Sequence, residues 1–186
     1  MKNCFSLLGL LILTVLLGST AAQSQVYLTS TGEISFFSKT PLEDISAVSK
    51  TAQAAINSAT GDVLVKIPMK SFKFPNGLME DHFNENYMES EKYPEGVFKG
   101  KIVEKVDYMK DGTYTVNAKG TLTMHGVTKE RTLTGTLEVA KGKLTLRSNF
   151  DVVLEDHKIE RPSVVMMKIA EKIDVKSVYV LMPKAK

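Results

Sequence analysis

The stretch from Gly112 to Val139 constrains the fold more than any other. From Tyr114 every second residue is apolar or small: Tyr114, Val116, Ala118, Gly120, Leu122 and Met124. Between them stand Thr113, Thr115, Asn117, Lys119, Thr121 and Thr123. Side chains of a strand alternate between the faces of its sheet, so this strand has an oily face and a wet one. His125-Gly126-Val127-Thr128-Lys129 follows, with glycine where the chain must turn. Alternation then resumes with Leu133, Gly135, Leu137 and Val139. Two long alternating runs around a short turn predict a β-hairpin. Its oily face has to be buried against something, and a sheet can do that by curling and closing on itself.

The rest of the chain supplies partners for it. Val26 to Lys39 places Ile34 and Phe36 on one face and Phe37 on the other, with Gly32 dividing two short strands or marking a bulge. Leu42 to Thr60 has Ile45, Val48, Ala52, Ala55 and Ile56 at helical spacing, which predicts a short helix or an ordered loop. Asp62 to Lys70 alternates again, with Val63, Val65, Ile67 and Met69 on one face. Pro68 points to an edge strand or a bulge, and the apolar phase then slips to Phe72 and Phe74, as a bulge would produce. Leu78 to Glu91 reads as a short helix across the mouth or end of a barrel, carrying Phe83, Tyr87 and Met88 and stopped by Tyr93-Pro94. Val97 to Tyr108 predicts a strand with Phe98, Ile102, Val106 and Tyr108 on one face. After the Lys141-Gly142 turn, Leu144, Leu146, Phe150, Val152 and Leu154 share a face. Glu155 to Glu160 reads as a polar loop, Pro162 to Ile173 as a short helix, and Asp174 to Met182 as the last strand, with Val175, Tyr179 and Leu181 together.

These elements add up to an all-β domain: an extended antiparallel barrel of about eight strands with one or two short helices. A sandwich is the alternative architecture. About eight strands leave an interior that side chains fill or that holds one small ligand.

The chain has 186 residues, enough for one domain with a substantial core. Residues 1–22 are set apart from it. Met1-Lys2-Asn3 is a weakly basic start, Leu7 to Leu17 is an apolar run, and Ser19-Thr20-Ala21-Ala22 supplies small residues. This is the layout of a secretory signal peptide, with cleavage after Ala22 favoured and Ala21 or Ser24 also compatible. An uncleaved anchor is the rival reading, disfavoured because the run falls short of the ~20 residues a spanning helix needs. Residues 23–186 then form the domain. The one cysteine, Cys4, leaves with the leader, so no disulfide or thiolate chemistry is expected of the domain. A formal net charge of +3, with no basic block and no interleaving of aromatics with basic residues, excludes a nucleic-acid surface.

Catalytic signals are weak. His82, His125 and His157 lie far apart, and none has metal-ligand spacing, so no metal and no cofactor are expected. His125 at the hairpin turn is expected to make a structural hydrogen bond, and His157 in its polar loop to face solvent. His82, beside Glu80 and Asp81, reads as a polar residue at a helix end, with an acid–base role on a hydrophobic substrate as the rival. No Gly-x-Ser-x-Gly elbow, phosphate loop or dinucleotide fingerprint occurs. The positive signal is the inner face, where Phe36, Phe98, Tyr108, Tyr114, Phe150 and Tyr179 join aliphatic residues and methionines such as Met124, Met166 and Met167. A long apolar ligand would suit such a face, since each buried methylene contributes about 0.8 kcal/mol. A barrel with a solid interior fits the pattern equally.

Three segments carry a resemblance. Leu122-Thr123-Met124-His125-Gly126-Val127-Thr128-Lys129 is similar to the "LTIHGVTK" signature of the YceI-like family of exported lipid-binding proteins. Glu91-Lys92-Tyr93-Pro94 with Phe98 resembles its "EKYP…F", and Glu80-Asp81-His82-Phe83 resembles its "RDxHL". Met79 stands where that family usually has arginine, Glu130-Arg131 follows the signature in place of a proline, and Arg147 to Asp151 matches a later "R-x-x-F-G" only loosely. The resemblance implies a lipocalin-like barrel with a long apolar channel, isoprenoid chains or related amphiphiles as ligands, and a periplasmic address. It also implies roles for His125 at the turn and for His82 and Phe83 near the channel's cover. The expected ligand-contacting set is Phe36, Val65, Ile67, His82, Phe83, Tyr87, Phe98, Ile102, Tyr114, Leu122, Met124, Leu146, Phe150 and Tyr179. The expected partner is a long-chain lipid or isoprenoid, bound without catalysis. A transient contact with a membrane surface and a homodimer are compatible with this reading.

Overall fold

The computed structural model describes residues 25–161 and 168–185. The expected leader lies outside the described residues, as do Met166, Met167 and the first half of the helix expected from Pro162 to Ile173; its described second half is a turn leading into the last strand rather than a helix. Eight strands form a closed barrel in sequence order: β1 (Val26–Lys39), β2 (Asp44–Asn57), β3 (Asp62–Pro68), β4 (Glu95–Ile102), β5 (Gly112–Met124), β6 (Val127–Ala140), β7 (Lys143–Val153) and β8 (Lys172–Pro183). All neighbours are antiparallel, and β1 closes the barrel against β8. One short helix, α1 (Gly77–His82), runs into a single π turn, Phe83–Tyr87.

The central hairpin forms as its alternation predicts. β5 and β6 pair without interruption from Gly112↔Val139 to Met124↔Val127. His125 and Gly126 both have positive φ, 50° and 72°. That is the two-residue turn whose twist matches the flanking strands. Midway along β5, Gly120 faces Gly100 of β4, and a Cβ there would lie 2.0 Å from the Lys99 carbonyl oxygen. Only glycine lets the two strands approach so closely.

The stretch from Leu42 to Thr60 is not a helix or loop but β2. Its inward residues are Ala47 and Ser49 on odd numbers, then Ala52, Ala54 and Ile56 on even ones. The one-residue slip between Ser49 and Ala52 falls opposite the irregular register of β1 around Gly32, so β1 is one bulged strand. A slipped alternation of small residues mimics the three- and four-residue spacing of a helix.

Three other expectations change in detail. β3 is not an edge strand: it pairs with β2 and β4, and Pro68 is its last residue. The phase slip to Phe72 and Phe74 comes from a single 3₁₀ turn, Met69–Ser71, rather than a bulge. β4 stops at Ile102 instead of running to Tyr108. The connection that follows still turns Tyr108 inward, stacked on Tyr27 at 6.4 Å between ring centroids.

The interior is packed unevenly along the barrel axis. At the narrow end, where β1 begins and β8 finishes, Ile56, Leu137, Leu144 and Leu181 are all 0% exposed. At the wide end, where β3, β5 and β7 finish and α1 lies, the inward side chains do not meet.

Candidate functional site

The wide end holds a cavity of about 420 Å³. Every strand except β6 contributes to it. Ile34 and Phe36 come from β1, Ile45 from β2, Ile67 from β3, Gly96 from β4, Leu122 and Met124 from β5, Phe150 and Val152 from β7, and Ile173 and Val175 from β8. The segment between β3 and β4 arches over this end and adds Met69, Phe72, Phe74, Leu78, Met79, Phe83, Tyr87 and Met88. It is fastened to β2 by paired hydrogen bonds between the backbones of Val48 and Lys73, and by a 2.7 Å contact of Ser49 Oγ with Ser71 Oγ. α1 is started by Asn76, whose side chain accepts from the Leu78 amide at 2.9 Å.

Four phenylalanines form the cover. Phe36 lies 5.3 Å from Phe72, 5.7 Å from Phe74 and 5.6 Å from Phe83, and Phe83 lies 5.5 Å from Phe72 and 5.2 Å from Phe74. Such stacked, tilted and edge-on ring contacts hold together without polar help. Few polar groups reach the cavity. Ser38, buried, accepts from the Ala170 amide at 2.9 Å, and Glu43 and Lys168 face each other at 3.9 Å. Among the described residues no buried side-chain nitrogen or oxygen lacks a partner. The interior therefore asks a guest for no hydrogen bonds, and burial pushes the Tyr87 hydroxyl above its ordinary range.

Of the residues expected at the site, Phe36, Ile67, His82, Phe83, Tyr87, Leu122, Met124 and Phe150 line this cavity. Val65, Phe98, Ile102, Leu146 and Tyr179 lie deeper, around a second void of about 50 Å³ in the middle of the barrel. There Tyr179 is packed against the bulge of β1, and burial pushes its hydroxyl up to about 12. Tyr114 borders neither void; its hydroxyl donates to the Asp107 carbonyl oxygen at 3.2 Å near the narrow end. Phe72, Phe74, Met69, Met88 and Ile45 were missed. The phase slip at Phe72 was the signal for the first two, while Ile45 was hidden by the helical reading of β2.

The histidines divide. His82 is exposed at the cavity mouth. Glu80 is turned away from it, bonded to Lys73 and to the Phe74 amide, contacts that hold its carboxyl below the usual range. His125 makes the expected structural bonds: Nε2 meets Glu89 at 2.8 Å, and Nδ1 meets the His157 carbonyl oxygen at 3.1 Å. The edge of Tyr93 packs on its ring at 4.7 Å, and a Cβ on Gly126 would come within 2.6 Å of Tyr93. His157 is not solvent-exposed but 2% exposed, with Nδ1 against the Val127 carbonyl oxygen at 3.2 Å. The supposed polar loop is a 3₁₀ turn, Glu155–His157, folded against the start of β6. Burial lowers the His157 pKa below its ordinary value. These residues clasp three connections together at the wide end, and no group of histidine, cysteine or acidic residues able to hold a metal occurs among the described residues.

The YceI-like domain family model matches residues 20–181. The chain belongs to the YceI-like domain family. Solved structures repeat the fold at low sequence identity. A polyisoprenoid binding domain from Saccharophagus degradans, implicated in plant cell wall breakdown, superposes with a TM-score of 0.73 at 14% identity, covering 86% of this chain and 98% of that one. BcnA of Burkholderia cenocepacia gives 0.67 at 17% identity, covering 81% and 95%. A Campylobacter jejuni YceI protein gives 0.56 at 21% identity, covering 85% and 86%. Among curated proteins no match is found. The clasp accounts for the signature stretch of this YceI-like domain in structural terms: His125, Gly126 and Tyr93 lock the wide end.

Proposed function

We propose that this YceI-like domain binds and carries a long-chain amphiphile, of isoprenoid or fatty-acyl type, with the chain in the wide-end cavity and no catalysis. The observation that carries the reading is the cavity itself: about 420 Å³, walled mainly by apolar side chains and covered by four phenylalanines. At about 30 Å³ per water-sized group, that space admits on the order of a dozen carbons. Family membership and the polyisoprenoid-binding neighbour support the class of ligand. Glu80, committed to Lys73, leaves His82 without a carboxylate partner among the described residues, which speaks against an acid–base pair there. We read residues 1–22 as an export signal and the working address as the periplasm.

Magnitudes set the ligand's length. A dozen buried methylenes contribute roughly 10 kcal/mol at about 0.8 kcal/mol each. Association and ordering cost at least about 4 kcal/mol, and more for a flexible chain. Chains of about sixteen carbons should therefore bind and chains of about six should not. The test is organic extraction and native mass spectrometry of protein purified from its own host, followed by uptake of sixteen-carbon and isoprenoid probes by the stripped protein. A bound lipid or one-to-one uptake is expected. A protein that yields no lipid and takes up no probe contradicts the reading.

A further inference from the structure

The barrel wall is not laced evenly. The β6–β7 ladder runs from Ala140↔Lys143 to Gly135↔Ser148 and stops there. Beyond that point Val127–Thr134 pairs with β5 only, and Asn149–Val153 with β8 only. Two strands that are neighbours in the barrel part company toward the wide end. At about 3.3 Å per residue, the unlaced stretch of β6 is on the order of 25 Å long.

Side chains bridge this gap in place of a ladder. Arg131 Nη2 donates to the Asp151 backbone oxygen at 2.6 Å, and His157 meets the Val127 carbonyl oxygen where the gap ends. Lys129 and Arg131 stand on the inward side of β6, in phase with Leu133 and Leu137. On a closed wall that phase is buried. Here Lys129 is exposed and the Arg131 side chain keeps 24% of its surface. Beside them on β5 are Leu122, paired with Lys129 across the hairpin, and Met124, paired with Val127; the part of β7 beyond the gap carries Phe150 and Val152. All four line the main cavity.

The charges at the mouth and at the gap differ. At the mouth, Lys73 is bonded to Glu80 and Lys168 faces Glu43. At the gap, Lys129 makes no ion pair among the described residues. Arg131 spends one of its five donors on a backbone oxygen and lies 3.9 Å from the Asp151 carboxylate, which Lys172 meets more closely at 3.4 Å. Glu130 and Asp174 are on the outward phase of their strands.

We propose that the β6–β7 gap is a head-group subsite for an acidic amphiphile, with the chain in the cavity and a carboxylate or phosphate held between Lys129 and Arg131. A guanidinium and an ammonium two residues apart on one strand face, beside side chains that line an apolar chamber, can form the charge-assisted hydrogen bonds that such a head group takes. The proposal rests on the lipid-binding reading above, and its test separates the two.

Hexadecanoic acid and hexadecan-1-ol share a chain and differ in charge. Their affinities are to be measured at pH 8 in low and high salt for the wild-type protein, K129Q, K129Q/R131Q and, at the mouth, K168Q. The wild type should bind both, the acid about tenfold tighter in low salt. K129Q, which breaks no side-chain hydrogen bond among the described residues, should lose several-fold of acid affinity. K129Q/R131Q should bind the two probes equally, whereas K168Q, which removes a cavity-lining side chain, should keep the acid preference whatever it does to the two affinities. An acid preference that survives K129Q/R131Q, or that disappears in K168Q, overturns the subsite, as does a wild type with no preference. A wild type that binds neither probe overturns the lipid-binding reading and the subsite with it.

Discussion

The two ends of this barrel are built from the same strands with opposite results. At the narrow end, Leu137, Leu144 and Leu181 interlock with Ile56 and leave no space. At the wide end the same alternating ribbons carry Phe36, Ile67, Met124 and Phe150, yet their side chains stand back from one another around a cavity. The difference lies in what closes each end. Short turns at Gly61 and Gly142 draw the narrow end together, so facing rows of leucine meet across the axis. At the wide end the long excursion between β3 and β4 lies over the opening as a separate cover, and neighbouring strands separate beneath it. A barrel can thus be a solid core for half its length and a container for the rest. On the proposed reading, the first half is the packed core and the second half houses the ligand.

The largest contrast should come from truncation. Leu137→Ala or Leu144→Ala removes a fully buried side chain from a close-packed site and should cost about 2–5 kcal/mol in urea unfolding. Leu78→Ala, on a residue 61% exposed at the cavity mouth, should change stability by no more than about 0.5 kcal/mol while weakening ligand uptake. Equal losses at the two sites would break the comparison.

Enlargement should reverse the pattern. Val139→Trp at the narrow end has nowhere to go and should cost at least about 1–3 kcal/mol. Val152→Trp can extend into the cavity, so it should leave the unfolding midpoint nearly unchanged while lowering affinity for a sixteen-carbon probe at least tenfold. A Val152→Trp protein that still takes up the probe normally would place the chain elsewhere.

A matched pair of glycines sharpens the comparison further. Gly126 and Gly142 both sit at φ 72°, one at each end of the barrel. A Cβ meets nothing within 4 Å at Gly142 but lies 2.6 Å from Tyr93 at Gly126. Gly142→Ala should therefore cost only the left-handed backbone penalty, about 1 kcal/mol, and Gly126→Ala up to about 3 kcal/mol. Similar values for the two would remove the clasp from the account.

The smallest effect is on pH dependence. Burial favours neutral His157, so its folded pKa lies below the unfolded value of 6.5. Below that pH the unfolded chain binds more protons than the folded one, and stability falls as pH drops from about 6.5 toward the folded pKa. His157→Asn should flatten that part of the stability profile measured by urea unfolding, and an unchanged slope would mean that the ring is hydrated.

Much of this was legible in the residues. Alternation from Tyr114 to Val139 placed the hairpin, its turn and its inward face, and the Lys141-Gly142 turn joined it to the next strand. What was not legible has physical causes. β2 buries alanine and serine, whose weak apolar signal could not outweigh a helical spacing created by its bulge. Depth along the barrel leaves no trace in a two-residue period, so Phe98, Leu146 and Tyr179 read like cavity residues although they pack near the middle. His157 looked exposed because its neighbours are charged, whereas a left-handed residue at Lys158 folds its turn back onto β6.

Methionine methyl groups offer the most direct test, because they report from both halves of the molecule at once. Met69, Met79, Met88 and Met124 line the cavity, while Met109 and Met182 are exposed and line neither void. In a ¹³C-methyl-methionine NMR titration with a sixteen-carbon lipid, the first four resonances should shift together and saturate at one equivalent, with Met109 and Met182 unmoved. Shifts confined to Met109 or Met182, or no shift in the cavity four at saturating lipid, would contradict a chain housed in the wide end.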